Sequence, residues 1–222
     1  MSDIFREVDE EVRQQQIIEF IKRYGKYVVA VVVLAIIVFA AMRYFDEQKR
    51  VEREAAGDRF AAAMTLLENE RVTDAITAFG AAAEESGDEG YGLLARFRQA
   101  QALVTAGESE AAIDAYDAIM EDGSVDSVWR KLAGVYAATL ALQAADNADV
   151  AQRLEALGGD HPWRLSVLEL TALNQYRAGN ADAAKETYRQ VFDEAPAGSG
   201  FRGRSAQMLS VLGVPTSELT AE

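Results

Sequence analysis

The 222-residue chain contains no cysteine, only three prolines and a single histidine. Without cysteine it has no means of forming disulfides, using a thiolate nucleophile or binding a metal through sulfur. His161 has no second histidine or cysteine to complete a metal site or a catalytic triad. No convergent set of catalytic groups remains, so we expect a protein that is not an enzyme and uses no cofactor.

One glycine-rich stretch, residues 198–203, matches the literal G-x-G-x-x-G spacing of a dinucleotide-binding loop. That fingerprint requires a strand directly before it and an acidic residue about 20 positions after it. Here a helical pattern and Pro196 precede the glycines instead. We therefore expect an ordinary loop at this position.

Positive charge is scarce after residue 59. Residues 60–222 hold 12 Lys and Arg against 25 Asp and Glu, a net charge of −13, whereas residues 1–59 hold 10 against 11. A domain this acidic repels phosphate, which argues against nucleic acid as a partner. The acidity by itself identifies no other partner.

The longest apolar run extends from Tyr27 to Met42 and contains no charged residue. As a helix, Tyr24 to Phe45 would rise about 33 Å at ~1.5 Å per residue, enough to cross a bilayer core of ~30 Å. The run lacks the polar face of a core helix, and its leader is long and acidic for a signal peptide, although Ala40 and Ala41 resemble a cleavage site. We therefore predict a transmembrane helix over residues 25–45.

The segments on either side of this span carry charges at helical spacing. Residues 1–24 are predicted to form a cytoplasmic juxtamembrane helix, and residues 46–57 a charged helical stalk. Three cations, Lys22, Arg23 and Lys26, precede the span, while Arg43 alone follows it closely. The positive-inside rule then predicts a cytoplasmic amino terminus and export of the rest.

Residues 58–222 contain a repeated pattern in which an alanine is followed four residues later by an aromatic residue. The equivalent alanines are Ala75, Ala112 and Ala184, separated by 37 and 72 residues, and a degenerate copy is expected near Ala148. A period of about 34 residues built from two helices is typical of tetratricopeptide repeats. Gly107 and Gly179 each lie five residues before such an alanine, where a helix ends with a positive φ.

The predicted fold is therefore all-α. It comprises one N-terminal transmembrane helix and a tetratricopeptide-like α-solenoid of about four helix pairs, closed by a capping helix near residues 203–212. Solenoids of this type bind extended chains or helices on a concave apolar face. By the register of the repeats, the candidate partner-binding residues of this groove are Phe60, Met64, Leu67, Leu94, Phe97, Gln101, Leu173, Tyr176 and Arg177.

The order of these segments resembles the ancillary subunit family of the Sec translocon (YfgM type). The resemblance covers nearly the whole chain and depends on short motifs, namely Gly25-Lys26, Arg43-Tyr44-Phe45, Tyr91-Gly92 before Leu94-Ala95, Ala100 to Leu103, and Gly179 with Ala183 and Ala184. It implies a bacterial inner-membrane protein with one span and a periplasmic repeat domain. It also implies two partners, the SecYEG translocon and a membrane-anchored periplasmic chaperone of the prolyl isomerase type.

Two hypotheses for the function follow. The first is a membrane-anchored, non-enzymatic scaffold accessory to protein export. The alternative is an envelope-assembly or cell-division scaffold that uses the same repeats on other partners.

Overall fold

A computed structural model describes residues 3–86, 90–144 and 147–219 of the chain. The described residues are mostly helical, and no strand occurs in these ranges. In chain order the helices are α1 (Asp3–Glu68), α2 (Val72–Ser86), α3 (Tyr91–Thr105), α4 (Ser109–Glu121), α5 (Ser127–Ala144), α6 (Asn147–Ala156), α7 (Arg164–Arg177), α8 (Ala181–Glu194), α9 (Gly200–Val211) and α10 (Thr216–Leu219).

The chain divides into two compact units, Met1–Glu54 and Ala55–Glu222. The first unit is part of α1. Among the described residues, one stretch of this helix is long and apolar enough to cross a membrane, and its mean hydropathy is 2.6. Its large apolar side chains between Val29 and Phe45 are exposed. The boundaries at residues 24, 45 and 57 lie inside this continuous helix and stay predictions.

The second unit is built from helix pairs that each pack against the next pair. The end of α1 pairs with α2, α3 with α4, α5 with α6, and α7 with α8, and α9 packs on α8. This arrangement confirms the predicted all-α solenoid of four helix pairs. The helix that closes it, α9, begins three residues earlier than expected because Ser199 caps it by accepting a hydrogen bond from the Arg202 N–H at 3.3 Å. The glycines from 200 to 203 are therefore helical rather than part of a loop.

Each second helix of a pair buries two residues four positions apart against its neighbours. Ala75, Ala112 and Ala184 are fully buried, as the repeat pattern requires. The degenerate third copy expected near Ala148 is α6, in which Val150 and Leu154 are buried and Ala148 itself is exposed. A β-branched residue occupies the place of alanine there, so the repeat continues without the pattern that identifies it elsewhere.

The turns inside the first, second and fourth pairs share one hydrogen-bond arrangement. Gly107 donates to the Val104 carbonyl and Gly179 to the Tyr176 carbonyl, both at 3.0 Å and both with φ 82°. The first pair makes the same turn with Glu70, which donates to the Leu67 carbonyl at 3.0 Å and has φ 62°. A side chain in this left-handed conformation is strained, whereas glycine adopts it freely.

Glu70→Gly is therefore expected to raise the free energy of unfolding by ~1 kcal/mol, because it removes this strain from an exposed position. Gly107→Ala is the opposite substitution at the equivalent position and is expected to lower it by ~1 kcal/mol. The measurement is the urea midpoint of the full chain in detergent. An unchanged or lowered midpoint for Glu70→Gly would contradict the expectation.

Candidate functional site

A groove of about 510 Å³ lies between α3 and α5, and Tyr116 of α4 contributes to its lining. Apolar and aromatic side chains predominate, which is typical of sites that take side chains of a partner. The lining residues are Leu94, Phe97, Arg98, Gln101, Val104, Tyr116, Trp129, Leu132, Tyr136, Thr139 and Leu140.

Four aromatic rings form the centre of the groove. The Phe97 ring lies 6.0 Å from that of Tyr116, 6.2 Å from Trp129 and 6.3 Å from Tyr136, measured between centroids. Tyr116 and Tyr136 stack at 5.3 Å. These distances fall within the range of favourable aromatic pairs, so the rings hold one another in position.

Each of the two wall helices, α3 and α5, has a buried face with small residues and a groove face with large ones. On α3 the groove residues recur at three- and four-residue spacing, while Ala95 and Ala102 on other faces are fully buried. On α5 the buried small residues are Ala133, Gly134, Ala137, Ala138 and Ala141. Small buried residues let the helices pack closely, so the large rings on the remaining face border the open groove.

A partly buried ion pair links α3 to the residue that follows α4. Arg96 donates to Asp122 at 2.7 Å and to the Ala118 carbonyl at 3.1 Å. The other Asp122 oxygen accepts from the Ser124 hydroxyl at 2.6 Å and the Ser124 N–H at 3.0 Å. These bonds, first that of the Ser124 hydroxyl and then that of Arg96, lower the pKa of Asp122 from its ordinary 3.8 to about 2.

The depressed pKa predicts a pH dependence of stability. The Asp122 carboxylate stabilises the folded chain fully above pH ~4, and this contribution is lost as pH falls through about 2. Asp122→Asn lacks the contribution at any pH. The difference in melting temperature between wild type and Asp122→Asn is therefore expected to be largest at pH 5 and to shrink toward pH 2, and a constant difference would contradict the assignment.

Electrostatics inside the groove centre on Tyr116 and Arg98. Burial, and then the neighbouring Tyr136, raise the pKa of the Tyr116 hydroxyl, while the positive charge of Arg98 acts in the opposite direction. Arg98 also donates to the Gln101 side-chain oxygen at 2.7 Å. The described residues contain no cluster of His, Asp and Glu that could hold a metal ion. The groove lining offers apolar and aromatic surface, a few hydroxyl and amide groups and one cation.

The sequence-predicted residues fall into three places. Leu94, Phe97 and Gln101 line the groove. Phe60, Met64 and Leu67 are partly buried against the core of the first helix pair, where the Phe60 ring lies 5.7 Å from that of Phe79. Of the remaining three, Leu173 is partly buried against the core of the third and fourth pairs, and Tyr176 and Arg177 are exposed on α7 away from the groove lining.

Sequence reasoning missed Arg98 and Val104 of α3, Tyr116 of α4 and every groove residue of α5. Trp129 is 43% exposed and Tyr136 44% exposed, although aromatic residues in a repeat are expected in the core. Their signal is the spacing of Trp129, Leu132, Tyr136 and Leu140, which places all four on one face of a helix. The alanine pattern that marks the other repeats is missing from α6. The repeat register was therefore not carried over to α5, the helix that pairs with α6.

The domain is built from helix pairs that stack in order along the chain, with an aromatic groove between the first helices of two neighbouring pairs. This architecture is that of a protein–protein interaction scaffold. The profile of the tetratricopeptide repeat-like domain matches residues 19–208, and the chain belongs to this family. No protein of curated function matches the sequence. Among solved structures, the chain is similar to a single-substitution variant described as a putative kinesin light chain with nearly identical TPR-like repeats, from Podosopora anserina. The TM-score is 0.53 at 15% identity, over 70% of this chain and 83% of that one, which concerns the fold alone.

Proposed function

We propose that the chain is a membrane-anchored, non-enzymatic scaffold whose repeat domain binds protein partners through the groove between α3 and α5. The observation that carries this proposal is the exposure of Trp129 and Tyr136, two large aromatic side chains on one open groove. Tryptophan and tyrosine are enriched among the residues that dominate binding energy at protein interfaces. The partner-binding residues are then Leu94, Phe97 and Gln101 of α3 together with these two residues of α5.

The anchor is the span over residues 25–45, with residues 1–24 on the cytoplasmic side, residues 46–57 as a stalk and the repeat domain from residue 58 in the periplasm. The apolar stretch of α1 and the cations before it support this topology. The test is a pair of reporters fused after Glu222, one active only in the cytoplasm and one only outside it. Activity of the cytoplasmic reporter would overturn the export of the repeats.

The partners proposed for this scaffold are the SecYEG translocon and a membrane-anchored periplasmic chaperone of the prolyl isomerase type. The order of leader, single span and acidic repeat domain supports them through the family resemblance, and the groove supplies a surface for a polypeptide. The test is crosslinking in intact membranes followed by purification in mild detergent. Recovery of translocon subunits with the wild-type chain, and a loss with groove variants, is the expected result.

The same experiment separates the two hypotheses for the function. If translocon and chaperone subunits are absent while division-site or outer-membrane assembly proteins are recovered, the envelope-assembly alternative replaces the export role. If a catalytic turnover were instead detected, the scaffold assignment itself would be wrong.

A further inference from the structure

Charge is distributed unequally between the helices that form the groove and those behind it. The acidic residues of α4 are Glu110, Asp114, Asp117 and Glu121. The two wall helices contain no acidic residue, and their charged residues are Arg96 and Arg98 on α3 and Arg130 and Lys131 on α5. The walls of the groove are thus basic in a domain that carries a net charge of −13.

The charges close to a bound ligand matter more than the total charge of the domain. Exposed charges further apart than about 8 Å are largely screened at physiological ionic strength, whereas partly buried ones are screened less. A charged group held between α3 and α5 therefore responds most to a charge that lines the groove itself. The net negative charge acts on the approach of a partner rather than on its final contacts.

Among the described residues that line the groove, Arg98 is the only charged one. Two other cations of the walls are engaged elsewhere, since Arg96 pairs with Asp122 and Lys131 donates to the Gly158 carbonyl at 3.1 Å. Arg98 is half-buried and uses one N–H of its guanidinium on Gln101. A guanidinium has five N–H donors in a planar fork, so Arg98 retains donors suited to a carboxylate.

We propose that the groove binds an apolar segment of a partner protein that carries one carboxylate, and that this carboxylate pairs with Arg98. The neighbouring apolar side chains of the segment pack on Phe97, Trp129 and Tyr136. This inference rests on the proposed function and specifies the chemistry of its partner. A carboxylate and a guanidinium form charge-assisted hydrogen bonds, which strengthen in a partly desolvated groove.

The test uses the full chain in nanodiscs of neutral lipid, with empty nanodiscs as the blank. The probes are 12-residue peptides that alternate leucine and serine, blocked at both termini, with a central Glu, Gln or Lys. A fourth peptide has the central Gln and a free carboxyl terminus, which separates a side-chain carboxylate from a chain terminus. Fluorescence anisotropy of the labelled peptides gives the dissociation constants.

The Glu peptide is expected to bind about 10-fold more tightly than the Gln peptide, the gain of one charge-assisted pair. In Arg98→Gln this ratio falls to about 1, whereas Lys185→Gln on the outer helix α8 removes the same charge and keeps it. A similar gain for the free carboxyl terminus supports the inference with a chain end as the carboxylate source.

Three results overturn the inference: a Lys peptide that binds as tightly as the Glu peptide, a ratio unchanged by Arg98→Gln, or no binding of any peptide. In the first two cases the chain still binds a polypeptide, so the proposed function stands. The proposed function fails separately, when crosslinking in membranes recovers no translocon subunit with the wild-type chain.

Discussion

Phe79→Ala is expected to destabilise the first helix pair by about 4 kcal/mol, within the range for deleting a buried aromatic ring. Phe79 is fully buried in α2, where it packs with Ala63 and Ala95 and against the Phe60 ring. It is the largest of the fully buried side chains in the described part of the chain. Alanine leaves a cavity that the neighbouring helices fill only in part, since each of them is fixed by its own packing.

The loss should be local, because each pair of a solenoid contacts mainly its neighbours and the pairs open partly independently. Hydrogen exchange of the full chain in detergent measures this directly. A loss of about 4 kcal/mol predicts amide exchange about 1,000-fold faster in α2. The amides of α8, which packs with α7 and α9, should keep their protection.

Phe79→Leu is the matched control, since it keeps most of the buried volume and is expected to cost only ~1 kcal/mol. Two outcomes would contradict the prediction. Unchanged exchange in α2 would mean that Phe79 contributes little to packing. Equal acceleration in α8 would mean that the solenoid unfolds as a single unit.

The fold was predictable because a helix pair leaves a local signature in the sequence. Ala75, Ala112 and Ala184 each meet a facing helix and are fully buried, and Gly107 and Gly179 occupy turns that need a positive φ. Such requirements depend on residues a few positions apart, so they can be recognised without knowing the tertiary structure.

The third pair was harder to place, since Val150 and Leu154 fill its buried positions. Both are apolar and fit the same interface, but they share no small-then-aromatic pattern with the other pairs. Different combinations of side chains can therefore fill the same kind of helix–helix interface, provided that they fit its shape. The alanine pattern misses this copy, and the repeat period alone places it near Ala148.

The groove was predictable only in part, for a physical reason. Leu94, Phe97 and Gln101 follow from the register of α3, because that pair carries the full pattern. Tryptophan and tyrosine also occur in protein cores, so their presence in α5 does not by itself predict exposure. The exposure of Trp129 and Tyr136 depends on the distance between α5 and α3. That separation is a property of tertiary packing, which the local sequence does not encode.

Tyr136 and Tyr176 provide a direct test of which aromatic face binds partners. Tyr136 is 44% exposed and lines the groove, while Tyr176 is 42% exposed on α7 and does not. Both are tyrosines in the first helix of a pair, so replacing either with alanine removes the same atoms from a side chain of similar exposure. Their difference in binding therefore reports the location of the site rather than the loss of a tyrosine.

Tyr136→Ala is expected to weaken partner binding at least about 30-fold, the loss typical of an aromatic residue at the centre of an interface. Part of this loss arises because Tyr136 stacks on Tyr116 and contacts Phe97, so its removal also loosens the rings that a partner would meet. Tyr176→Ala is expected to change binding less than about 3-fold. Quantitative crosslinking to translocon subunits in membranes, with the urea midpoint of each variant measured alongside, provides the comparison.

The reverse result is equally informative. If Tyr176→Ala abolishes crosslinking and Tyr136→Ala preserves it, partners bind the α7 face that the repeat register includes among its candidates. The groove between α3 and α5 would then be a packing feature. Since both side chains are more than two-fifths exposed, neither variant should unfold the domain, and a loss of binding can be assigned to the groove, through the missing tyrosine contact and the loosened rings beside it.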